Sequence, residues 1–166
     1  PIAEISRLTN LTELYFESNN PLLTPNPIDF MHMARLTLLQ KLKLNSNAFN
    51  RIPFYIFYGF SKKCIFSNFL SNKELGKSST IQFISHLTNL KNLNIGNIGL
   101  PSATTLQCLS TLTQLTTLIL KNNQLKKLNK SSMSKLINLN ELCISNNSLI
   151  KFPKFFSLFE KLTWLQ

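Results

Sequence analysis

Glycine is scarce in this chain, with four in 166 residues, and no glycine-rich loop of the kind that cradles a phosphate is present. Acidic residues are few as well: seven Asp and Glu face eighteen Lys and Arg. They are scattered, so no carboxylate pair points to general acid–base chemistry. His32 and His86 fall outside the best-ordered motifs and away from any paired nucleophile. Cysteine is limited to Cys64, Cys108 and Cys143, an odd and widely spaced set that offers neither a disulfide framework nor CxxC metal spacing. Reduced thiols in a cytoplasmic protein are the expectation, with an extracellular or secreted location as the alternative. No apolar run approaches the ~20 residues that span a bilayer. The chain lacks a signal-like start, and both ends fall in mid-pattern, so a fragment of a longer chain is expected. These absences leave no cofactor, no metal set and no small-molecule site to propose, and the expectation is a chain without catalytic activity.

The deficit of acids leaves a net charge of +11, which raises nucleic acid or an acidic lipid surface as partners. The charges are spread, however. Arg7, Arg35, Lys62, Lys77, Lys91 and Lys161 lie far apart, and the densest group is Lys121, Lys126, Lys127, Lys130 and Lys135. Lysine far outnumbers arginine, and Asn, Ile and Phe are abundant. A codon bias toward A/T would give the same composition. A reader of nucleic acid wants a continuous basic track interleaved with aromatics, and none is evident.

What the chain does have is a repeat. LTTLILKNNQL runs from Leu115 to Leu125, and LNELCISNNSL runs from Leu139 to Leu149. Both fit LxxLxLxxNxL, recurring after about two dozen residues, the mark of a solenoid. Weaker copies place Leu11, Leu14, Phe16 and Asn19 in one unit, and Leu39, Leu42, Leu44, Asn47 and Phe49 in the next. Another holds Leu90, Leu93, Ile95 and Leu100, with Ile98 where asparagine belongs and Asn97 one place early. Leu162 and Leu165 open a last unit. A single domain over 1–166 with about six to seven repeats accounts for the chain.

Each template position has a physical reason. The xLxLx segment is a short strand, so positions 4 and 6 face a shared core while 3, 5 and 7 face solvent. The asparagine turns inward to bond backbone groups of its own and adjacent turns, which burial would otherwise leave unpaired. Ile98 should weaken that ladder unless Asn97 rotates in. The returning segments carry helical spacing. Asn26-Pro27, Ser79, Ser102 and Ser131 or Ser132 stand where caps would begin helices. Residues 54–79 fit poorly. Anchoring on Phe60, Ile65, Asn68 and Leu70 puts Lys63 in the core, whereas anchoring on Cys64, Ser67, Phe69 and Asn72 puts a serine and Glu74 there. The segment reads as a degenerate repeat or an irregular insertion. The aromatic run Phe54, Tyr55, Phe57, Tyr58 and Phe60 just before it reads as core, or else as an exposed docking patch.

The pattern resembles the leucine-rich-repeat family, over nearly the whole chain outside 54–79. Ile52-Pro53 and Phe152-Pro153 look like the "typical" subclass, while the longer first step looks more like the ribonuclease-inhibitor subclass. The resemblance implies an α/β leucine-rich-repeat solenoid, a horseshoe with parallel strands on the concave face and short helices on the convex one. It also implies a protein-binding module: a scaffold, adaptor or regulator, or else the recognition region of a secreted or surface receptor, an adhesin or a bacterial effector.

Template position then names the expected partner surface. Position 3 supplies Glu13, Lys41, Asn92, Thr117, Glu141 and Trp164; position 5 supplies Tyr15, Lys43, Asn94, Ile119 and Cys143; position 7 adds Glu17, Asn45 and Lys121. Tyr15 and Trp164 are the expected anchors, because interfaces draw heavily on Tyr and Trp. Ile119 and Cys143 are adjacent in one column, a small apolar patch that polar neighbours and short reach make incidental.

Overall fold

The structure is a computed structural model that describes residues 2–5, 7–15, 35–43, 66–68, 84–100 and 103–166. Seven short strands lie among them: β1 (Glu13–Tyr15), β2 (Lys41–Lys43), β3 (Phe66–Asn68), β4 (Asn92–Asn94), β5 (Thr117–Ile119), β6 (Glu141–Cys143) and β7 (Trp164–Leu165). They form one sheet in strict chain order, and every neighbouring pair is parallel. Parallel neighbours require a crossover of a dozen or more residues, which the long spacing between Leu-rich segments supplies.

The register runs straight across the sheet. Leu14, Leu42, Ser67, Leu93, Leu118, Leu142 and Leu165 occupy one column. Leu42, Leu93, Leu118 and Leu142 are buried, and they share one core with Leu90, Leu115 and Leu139 and with Leu106, Leu109, Leu112, Met133 and Leu136 of the returning segments. Each such leucine removes enough apolar surface from water to contribute ~2 kcal/mol. No single repeat holds enough of them to fold alone. Leu14 and Leu165, in the outermost strands, are only partly covered.

Within 54–79 the structure settles the register. Ser67 pairs with Leu42 and Leu93 and is fully buried, so the frame on Cys64 and Ser67 is the one adopted. The competing frame would bury the charged Lys63, a far larger cost than burying one hydrogen-bonding hydroxyl. The aromatic run at 54–60, Asn26-Pro27, Ser79 and Ser102 lie outside the described residues.

The returning segments depart from expectation in kind. Besides α1 (Ile2–Ile5) and α2 (Lys130–Met133), the helical stretches Ala103–Thr111 and Lys154–Leu158 are 3-10 helices. Leu106 and Leu109 are three residues apart, and in a 3-10 helix such residues eclipse along one edge, which buries both, with Leu112 buried just past the helix end. Ser131 and Ser132 do not cap α2. They lie inside it, Asn129 takes the cap position with an extended backbone and no side-chain cap bond, and Ser132 is buried.

The asparagine ladder is present and points backward along the chain. Asn123 Nδ2 donates to Leu120 O in its own turn and Ile95 O in the preceding one, while its Oδ1 accepts from Ile98 N and Leu100 N. Asn147 repeats the scheme, donating to Ile144 O and Leu120 O and accepting from Leu125 N. The turn around Ile98 is therefore bonded by the asparagine of the next repeat. Asn97 shares a left-handed backbone (φ 53°) with its column mates Asn122 (φ 56°) and Asn146 (φ 52°), a conformation that asparagine tolerates better than most residues.

The open face of the sheet as candidate interaction site

Because strand side chains alternate, the residues flanking each buried leucine project from the opposite face. Glu13, Lys41, Asn92, Thr117, Glu141 and Trp164 form one row, and Tyr15, Lys43, Asn94, Ile119 and Cys143 form the other. The expected position-3 and position-5 residues thus stand in two straight files. The backbone register of β3 sets Phe66 opposite Lys41 and Asn92, and Asn68 opposite Lys43 and Asn94, positions that the sequence reading missed. The signal was there in the Cys64 frame, which could not be chosen without the strand pairing. Glu17 and Asn45 lie outside the described residues.

At the β1–β2 end four side chains interlock. Lys41 Nζ sits 2.6 Å from Glu13 Oε1, the Tyr15 hydroxyl donates to Glu13 Oε2, and Lys43 Nζ lies 4.5 Å from the centre of the Tyr15 ring. Lys41, then the Tyr15 hydroxyl, hold the Glu13 carboxyl below its ordinary pKa, and Glu13 in turn raises Lys41. These groups are solvated, so the pair adds little to stability. Its effect is geometric, since it holds the Tyr15 ring, itself 50% exposed, in one orientation.

The middle of the face is polar and half-buried. Asn94 Oδ1 accepts from Gly96 N, which turns that side chain toward its own loop. At the far end Thr117 Oγ1 donates to Glu141 Oε2 across β5 and β6 (3.4 Å), and Trp164 on β7 is 45% exposed. Ile119 and Lys121 are half-buried. Cys143 corrects the expectation: it is only 2% exposed. Its Sγ lies 3.3 Å from Ser145 Oγ and 3.5 Å from Gln166 Oε1, and these neighbours cover the thiol. The apolar patch expected of Ile119 and Cys143 is therefore reduced to part of Ile119.

Among the described residues, no group of three or more His, Cys, Asp or Glu is placed to hold a metal ion, and no helix is long and apolar enough to cross a membrane. Cys108 and Cys143 are thiols. Burial pushes the Cys108 thiol up to about 12.

A stack of short parallel strands in chain order, four of them with a buried central leucine, and with the inward asparagines Asn123 and Asn147 bonding successive turns, is a leucine-rich-repeat-like fold. No family model matches the sequence, and no curated protein matches it. Solved structures do match: an internalin from Listeria monocytogenes superposes with a TM-score of 0.69 at 22% sequence identity. The match covers 100% of this chain and 50% of the internalin, so the chain spans half that protein's length. In all, 161 solved chains match, so the architecture is widely reused and the site must carry any argument about function.

Proposed function

We propose that this chain is a non-catalytic protein-interaction module that binds a partner protein across the open face of its sheet, as a scaffold, adaptor or regulator. The observation that carries this reading is the pre-set β1–β2 cluster, in which Glu13, Lys41 and Lys43 hold an exposed Tyr15 ring. An aromatic side chain already fixed in the free protein loses little entropy on binding. Trp164 supplies a second large side chain in the same file as Glu13. The mixed charges along the face fit a protein surface better than a polyanion, which would meet Glu13 and Glu141.

The test is affinity capture from the native source with the wild-type chain, Tyr15→Ala/Lys43→Ala, and Trp164→Ala. A protein retained by wild type and lost with the sheet-face variants, at unchanged melting temperature, supports the reading. Retention by both variants equal to that of wild type would overturn it. A second reading, the recognition region of a bacterial effector or of a surface receptor or adhesin, draws on the likeness to a bacterial internalin. The two readings predict different places for the protein, inside the producing cell or outside it, and fractionation of that cell distinguishes them.

A further inference from the structure

Repeat register brings together, away from the sheet face, residues that are far apart in the sequence. Ile150 N donates to Lys126 O (3.1 Å), and Ser148 N donates to Leu125 O (3.0 Å), so the loop after β6 lies directly against the loop after β5. This sets Lys127 beside Lys151, while Lys130 opens α2 and Lys154 opens the following 3-10 helix one repeat later. All four lysines are exposed. Among them stand Ile150, 76% exposed, and Phe152, 65% exposed. Phe152 is not loose: its ring meets Phe156 edge-on at 4.8 Å, and Phe156 in turn packs on the buried Phe159. From Lys121 to Phe159 the sole acidic residue is Glu141, and it belongs to the sheet face.

We infer that this flank is a second binding surface, for an anionic lipid bilayer, distinct from the protein-binding face. Lone exposed apolar residues need no explanation, but two large ones flanked by Lys127, Lys151 and Lys154, none of which is in an ion pair among the described residues, have a specific complement. Exposures this high mean that the side chains project from the surface rather than wall a groove. Projecting apolar groups flanked by lysines suit the boundary between headgroups and acyl chains, where the apolar tips insert and the ammonium groups reach acidic headgroups. The edge-on ring stack fixes Phe152 as a rigid wedge.

The test is co-sedimentation of the 166-residue chain with vesicles of phosphatidylcholine alone and with about 30% phosphatidylglycerol, at low and moderate salt. Binding is expected only to the anionic vesicles and is expected to weaken with salt. Lys127→Glu/Lys151→Glu and Ile150→Ser/Phe152→Ser should each lower it about tenfold, with circular dichroism unchanged, while Tyr15→Ala should not affect it. No binding to anionic vesicles at low salt overturns the proposal. So does binding that survives Ile150→Ser/Phe152→Ser. Polyglutamate or duplex DNA taken up as tightly as vesicles, and independently of those two apolar residues, would assign the lysines to an acidic protein or nucleic acid instead.

Discussion

Asn123 shows how much one side chain can carry in a stacked fold. Its amide meets four backbone groups in two turns, all in a buried setting, so Asn123→Ala leaves several polar groups unpaired at once. A loss of about 3 kcal/mol is expected from chemical denaturation, with a smaller loss for the half-buried Asn147→Ala. Leu118→Ala should cost ~3 kcal/mol by cavity formation, against less than ~0.5 kcal/mol for Tyr15→Ala. Equal effects would mean that the strand faces are reversed. Cys108 gives a chemical test of burial. Because its thiol is pushed up to about 12, it should resist maleimide at neutral pH in the native chain and react after denaturation. The sign for stability follows from the raised value. The folded state holds the proton more tightly, so this contribution is complete below the ordinary thiol pKa and fades as pH climbs toward 12. The inward asparagines and leucines were legible from the template alone. The burial of Cys143 was not, because template position says which way a side chain points and not what its neighbours will cover.

At the scale of elements, strands and returning segments were legible to different degrees. A strand of three residues with a leucine at its centre is specified by alternation, and six of the seven strands begin at the expected position-3 residue. β3 could not be placed, because its centre is Ser67 and only pairing with Leu42 and Leu93 fixes its register. The 3-10 character of Ala103–Thr111 was hidden because leucines spaced three apart satisfy an α-helix nearly as well. The β1–β2 cluster offers a prediction that spans two elements. In an NMR titration, the Glu13 carboxyl should titrate below the ordinary glutamate value, and in Lys41→Ala it should move back toward it. Any stability from this pair is present above the ordinary carboxyl pKa and is lost as pH falls through the depressed one. Since the groups are solvated, the melting temperature should barely change.

Across the whole molecule, a charge of +11 on a solenoid sets like charges against one another along the stack. Screening them should raise the melting temperature as salt goes from about 20 to 150 mM, since the Debye length then falls to about 8 Å and like charges two or more strands apart, at about 5 Å per strand, are largely screened. A flat salt response in thermal melts would show that the charges are already offset. Each repeat contacts mainly its neighbours, so Phe159→Ala, which removes the buried member of the Phe152–Phe159 cluster, should loosen the last repeats before β1 and β2. Hydrogen exchange of Leu142 and Leu42 amides in that variant would separate local loosening from global unfolding.

The sequence by itself determined the solenoid, the two faces of the strands and the inward asparagines, because these depend on period and alternation within one short unit. Tertiary structure alone decided how the units align. It placed Ser67 in the leucine column, covered Cys143, bound the turn at Ile98 through Asn123 of the next repeat, and brought Lys151 beside Lys127. The physical reason is the same in each case. These features depend on register between repeats, and register is set by hydrogen bonds and packing between turns that are about two dozen residues apart.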